Sequence, residues 1–222
     1  LDAGLTSEFV GYDTLTADAE ILAVANETDL TDALKAGENG TIITAKTPFY
    51  ATMGGQKGDT GVIRTESGSF EVEETVKIAG GRIGHIGKVV SGTIKVKEAA
   101  ELAVDTANRK NICKNHSATH LLQSALRAVL GDRVEQQGSY QDGSRTRFDF
   151  SHSQAMTQEE LARVEALVNE KIAEDLPVVT DVMSIEEAKK SGAMALFGEK
   201  YGETVRVVSM GDFSRELCGG TH

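Results

Sequence analysis

The chain has 222 residues, 40% hydrophobic and 26% charged, enough to bury a proper core as one large domain or two small ones. Its 23 basic and 34 acidic residues give a net charge of -11, which argues against indiscriminate nucleic-acid binding but leaves room for a local basic groove. No apolar run approaches the roughly 18 residues of a membrane span, Leu1 to Phe9 lacks a signal-peptide pattern, and two cysteines cannot make a disulfide framework, so a cytoplasmic globular protein is expected.

The early chain reads as β structure. Segments 20–26, 41–46, 61–66, 69–79 and 92–97 alternate or cluster β-branched residues between Gly-rich turns, the pattern of a small barrel or sandwich. Between two of them lies "FYATMGGQKGDTG" (49–61), whose glycines mark a backbone that turns tightly or approaches something closely. From Glu98 to about Leu130 the chain is rich in Ala and Leu, lacks proline and stops at Gly131, which predicts one long helix or two in succession. Two polar strands follow at 133–141 and 144–150, joined by the turn dipeptide Asp142-Gly143. Thr157 and Glu160 have capping-box spacing at the start of an amphipathic helix that Pro177 ends. A strand (178–183), a short helix (184–190) and a strand (203–210) lead to the final "CGGTH". The predicted fold class is α+β, with a β-barrel-like subdomain over residues 1–100 and an α/β subdomain over 101–222.

Two motifs carry metal-capable side chains. In "NHSATH", His116 and His120 are four apart on a predicted helix, so their side chains stand one turn above one another. At steps of about 100° they fall nearly opposite the stripe of Ala118, Leu121, Leu122, Ala125, Leu126 and Val129, off the expected core face. The absence of a glutamate after the first histidine breaks the metalloprotease pattern and argues against a zinc protease. In "CGGTH", Gly219 and Gly220 let the backbone curl so that Cys218 and His222 converge, and a donor set of three imidazoles and one thiolate suits tetrahedral Zn2+. Cys113, one turn before His116, is a possible substitute in that set, with an inert thiol the commoner fate of a helical cysteine. His85 and His152 have no partner at ligand spacing and are expected to be structural or exposed.

In order along the chain, "FYATMGGQKGDTG", "HSATHLLQSALRAVLG", "GSYQDGSRTRFDFSH" and "ELCGGTH" closely resemble the editing domain of alanyl-tRNA synthetase and its free-standing relatives. The resemblance runs from about Gly11 to His222, and the threonyl-tRNA synthetase editing domain is a more distant likeness. It implies an aminoacyl-tRNA deacylase that hydrolyses the ester of Ser-tRNA(Ala) or Gly-tRNA(Ala) and spares Ala-tRNA(Ala), with the remainder of a synthetase chain as partner. It implies further that His116, His120, Cys218 and His222 ligate zinc, and that Thr119 and Gln136 recognise substrate or assist catalysis. Where members often read Gly-x-His-Val before that glutamine, this chain has Arg133 in the histidine's place.

The site is expected between the two regions, with Gly54, Gly55 and Gln56 helping to wall it and touching substrate. Candidates for phosphate contact are Arg127 and Arg147, together with Arg109, Lys110, Lys114 and Arg145. Nothing in the sequence looks like an ATP-binding ligase domain, so aminoacylation is not expected of these residues. His222, as a terminal residue, is expected to fray and hold metal weakly. The rival readings are a structural zinc module that binds tRNA without catalysis, and a free-standing trans-editing protein.

Overall fold

A computed structural model describes residues 5–196 and 200–222. The chain divides into two compact units, one of Leu1–Met53 and Lys57–Lys110, the other of Gly54–Gln56 and Asn111–His222.

The first unit holds strands β1 (Glu8–Phe9), β2 (Thr16–Ala25), β3 (Leu30–Thr31), β4 (Ala33–Lys35), β5 (Asn39–Thr44), β6 (Lys46–Thr47), β7 (Gly61–Arg64), β8 (Gly68–Ile78), β9 (Arg82–Lys95) and β10 (Ala99–Val104). Six of them pair antiparallel in the order β10-β7-β8-β9-β5-β2, and a β10–β2 pairing closes the ring into a barrel. Ile21, Ile42, Ile63, Phe70, Ile94 and Leu102 are completely buried and form the centre of its core. Alternation is interrupted on β8, where a bulge between Val72 and Glu74 moves the inward set from Phe70 and Val72 to Thr75.

The helix predicted from Glu98 begins at Thr106, and residues 99–104 are β10. Their Ala, Glu and Leu favour a helix taken alone, but Ala100, Leu102 and Val104 alternate inward and close the barrel, so tertiary burial overrides propensity. The strand predicted at 92–97 is likewise the end of a longer β9 that runs back through the Gly-rich segment to Arg82.

Helix α1 (Thr106–Leu130) crosses the division between the units, which falls after Lys110. The second unit continues with the hairpin β11 (Gln136–Gln141) and β12 (Thr146–Phe150), helix α2 (Gln158–Ala173), β13 (Val178–Ser184), α3 (Ile185–Lys190), β14 (Thr204–Met210) and β15 (Ser214–Leu217). Thr157 caps α2 with a complete capping box to Glu160. Ala125 and Leu126 of α1 pack with Val134 and Val164, while Leu121 joins Val208 and Met210 of β14. Strands β13, β14 and β15 form an antiparallel sheet, and β15 delivers the chain directly into Cys218. Among the described residues no helix is long and apolar enough to cross a membrane.

Candidate metal centre

The four residues of the two motifs converge. Nitrogen or sulfur donors of His116, His120, Cys218 and His222 all lie within 4.8 Å of one another, and all four residues belong to the second unit. Helix geometry supplies the first pair, since His116 and His120 rise one turn apart on α1. The second pair comes from the tail after β15. Cys218 Sγ is 3.4 Å from Nε2 of both His116 and His222. A tetrahedral zinc with bonds of about 2.0 Å to nitrogen and 2.3 Å to sulfur sets such N···S separations at about 3.5 Å. The donor set therefore fits that ion in chemistry and in spacing.

Contrary to the helical-wheel expectation, the histidines are not on an open face. His116 and His120 are only 5% and 4% exposed. The wheel locates one apolar stripe on α1 correctly, but the second side of the helix is covered as well, by the tail and by β15's Glu216. Burial holds the His116 ring at a pKa of about 4 and that of His120 at about 3, and lowers His222 further still. All three rings are thus neutral near pH 7, the form that ligates metal. The same burial pushes the Cys218 thiol up to about 11, so uptake of a cation would release its proton.

Each ring meets a polar group on the side away from the common centre. His116 Nδ1 is 2.9 Å from Oε1 of Gln56, and His222 Nδ1 is 2.9 Å from Oγ of Ser117. His120 Nδ1 lies 3.2 Å from Oε2 of Glu216, close but not aligned as a hydrogen bond. Burial raises that carboxyl to about 8, with Arg127 opposing the shift. His222, expected to fray, is tied by Ser117 and Cys218.

Gly220 is needed for room. A Cβ there would come 2.2 Å from Cε1 and 2.4 Å from Nδ1 of His116, so the expected curl of the Gly-Gly pair is at this position a demand for close approach. Gly55 combines both demands: its φ is +89°, and a Cβ would lie 2.5 Å from the carbonyl oxygen of Ser139 on β11.

A cavity of about 60 Å³ adjoins the donors and is lined in part by Gly54, Thr119, Gln123 and Gln136. Beside it, a depression of about 450 Å³ shares Gln123 and Gln136 and adds Arg127 and Glu135. Thr119 donates its hydroxyl to the carbonyl of Asn115, one turn back on α1, and also contacts the hydroxyl of Thr146. Gln136 donates from Nε2 to Ser139 Oγ at 3.1 Å. Gly54 and Gly55 line a further depression with Gln136, whereas Gln56 is completely buried and is not part of the small cavity's wall.

Among the expected phosphate contacts, Arg147 is exposed and 3.2 Å from Asp149, and Arg127 is half-buried with Nη1 on the Val134 carbonyl at 2.8 Å. Lys110, Lys114 and Arg145 are exposed. Arg109 must be withdrawn. Its guanidinium is buried in the first unit, paired with Asp59 and donating to the carbonyls of Gly11 and Pro48, so no face is left for a phosphate. Cys113 stands outside the donor group and donates to Thr221 Oγ1 at 3.2 Å. His85 is fully buried, with Nδ1 on the Ile42 carbonyl and Nε2 on the Thr47 hydroxyl. Missed by the sequence reading were Gln123, Ser117 and Glu216. Gln123 continues the His116–His120 row at the next helical step, a signal that was available.

Residues 2–108 match the family described as tRNA synthetases class II (A). Residues 205–222 match the Threonyl and Alanyl tRNA synthetase second additional domain. All 222 residues align at 60% identity with Alanine-tRNA ligase 1 of Lachnoclostridium phytofermentans, and the chain spans about a quarter, 25%, of that protein's length.

Proposed function

Because the chain belongs to the alanyl-tRNA synthetase family, matched over its full length at 60% identity, we propose that it is an editing region that hydrolyses mischarged Ser-tRNA(Ala) or Gly-tRNA(Ala) and spares Ala-tRNA(Ala). The observation that carries the reading is the convergence of His116, His120, Cys218 and His222 beside a cavity of about 60 Å³ walled by Thr119 and Gln136. Those four residues would hold Zn2+, which when bound would supply Lewis-acid polarisation at the site. The reaction adds water across the ester, releasing the amino acid and the free terminal hydroxyl of the tRNA. An aminoacyl ester is already activated, so positioning and electrostatics provide most of the rate.

Thr119 spends its proton on the Asn115 carbonyl, so the neighbouring Thr146 hydroxyl donates to its oxygen, and one lone pair is left to accept from a seryl hydroxyl or the attacking water. Gln136 has its amide nitrogen on Ser139 and so presents its carbonyl oxygen as a second acceptor. Alanine offers these groups no hydroxyl, and a site that leaves its own polar atoms unpaired discriminates strongly against it relative to serine; glycine lacks the hydroxyl too, so hydrolysis of the glycyl ester does not draw on these two acceptors. Arg127, Arg147, Gly54 and Gly55 serve the acceptor end of the RNA, the remainder of the synthetase is the covalent partner, and the setting is the cytoplasm.

One observation favours a second reading. Four protein donors close a tetrahedral site, as in structural zinc modules, whereas catalytic sites usually keep a position open. Deacylation of Ser-tRNA(Ala) and Ala-tRNA(Ala), with and without chelator, separates the two. The editing reading requires hydrolysis of the seryl ester that falls on chelation, with Thr119→Val and Gln136→Ala losing activity or selectivity. Zinc-replete protein that leaves Ser-tRNA(Ala) intact makes it a structural module.

A further inference from the structure

Gln56 is completely buried, and its side chain hydrogen-bonds to both donor-bearing motifs. Oε1 accepts the backbone N–H of Thr221 at 3.0 Å and lies 2.9 Å from His116 Nδ1. Nε2 donates to Thr221 Oγ1 at 2.7 Å. The amide cannot be turned over, because the Thr221 N–H is a donor and demands an oxygen. With oxygen facing the ring, His116 Nδ1 must carry the hydrogen, and Nε2, which faces Cys218 Sγ at 3.4 Å, is left with its lone pair. Gly220 packs into the same corner, where a Cβ would come 2.8 Å from Gln56 Oε1 and 2.4 Å from His116 Nδ1, so the tail backbone lies directly against both partners.

We propose that Gln56 is a positioning residue of the metal centre, its single amide holding the His116 ring by Nδ1 and the Cys218–His222 tail by Thr221 so that both present their donors to one ion. It acts through the ligands and does not touch substrate, unlike its neighbours Gly54 and Gly55. Partners that fix a ligand's tautomer and orientation typically contribute about tenfold to a hundredfold in metal affinity. The helix motif, the tail motif and the Gly-rich segment would then be parts of one device, joined at one side chain.

The inference rests on the metal reading above and fails separately from it. Zinc affinity, by competition with a chromophoric chelator, and the cobalt(II) absorption spectrum are compared for the parent, Gln56→Leu and Gln56→Glu. Positioning requires that the leucine variant lose about tenfold to a hundredfold in affinity. The glutamate variant, which keeps an acceptor for both N–H groups, should stay within a few-fold of the parent and retain a tetrahedral thiolate–cobalt spectrum. Equal affinities in parent and Gln56→Leu overturn the proposal, as do equal losses in both variants, which would mean that packing alone is at stake. Ring nitrogen NMR of the zinc-loaded parent decides even if the leucine variant does not fold: His116 must carry its hydrogen on Nδ1, and an unprotonated Nδ1 refutes the assignment. A parent that takes up no zinc overturns both readings.

Discussion

At the scale of single residues, polar groups in this protein are buried only where several partners wait. Asp59 is completely buried and accepts from Arg109 and from the backbone N–H of Tyr50, while Arg109 also donates to two carbonyls. The pair holds several chain segments of the first unit with one planar fork, which a lysine has too few fixed donors to imitate. Arg109→Ala is therefore expected to destabilise by about 3–5 kcal/mol, because Asp59 would be left as an uncompensated buried charge. Urea unfolding measures this, and a cost below about 1 kcal/mol, the range of a surface ion pair, would show that solvent reaches the carboxylate. From sequence, Arg109 stands among the expected phosphate contacts. Its buried acid, fifty positions earlier, was not evident from any local pattern.

Secondary elements are legible where local chemistry specifies them and obscure where distant contacts do. The start of α2 follows from its own residues, since the Thr157 side chain accepts from Glu160 N and the Glu160 carboxylate accepts from Thr157 N. Thr157→Ala should cost about 1 kcal/mol, within the usual 0.5–2 kcal/mol of a lost cap. Thermal denaturation checks it; an unchanged midpoint would mean that the packing of Val164, Leu167 and Val168 in the core cluster with Ala125 and Leu126, not the cap, sets the stability of α2. Strand β10 is the opposite case. Its residues prefer a helix, and only pairing with β2 and β7 on either side makes it a strand. The short β15 was missed for a related reason: four residues carry too little periodicity, and their role is to align Cys218 through pairing with β14.

For the molecule as a whole, buried neutral imidazole makes stability depend on pH. The His85 ring, shut inside the first unit, has its pKa lowered from the ordinary 6.5 to about 4, chiefly by loss of water and against the pull of the Ile42 carbonyl. Between those values the unfolded chain takes up a proton that the folded chain refuses. The stability due to neutral His85 is thus fully present above about pH 6.5 and is lost as pH falls toward 4, by about 1.4 kcal/mol per unit inside that window. His85→Gln should flatten this slope in urea unfolding between pH 7 and pH 5. Identical slopes for parent and variant would place the acid sensitivity elsewhere.

Taken alone, the sequence determined the four donor residues that converge, the capped helix, the hairpin turn and the barrel-like character of the early chain. Each of these is written in residue types at short, periodic spacing, so local geometry suffices to express it. Only the tertiary structure decided which side of α1 is covered, that residues 99–104 close a barrel, that Arg109 is structural, and that Gln56 meets both metal motifs. These are matters of burial and of partners far apart in the chain, for which the free-energy balance is struck only once distant segments have displaced the water between them.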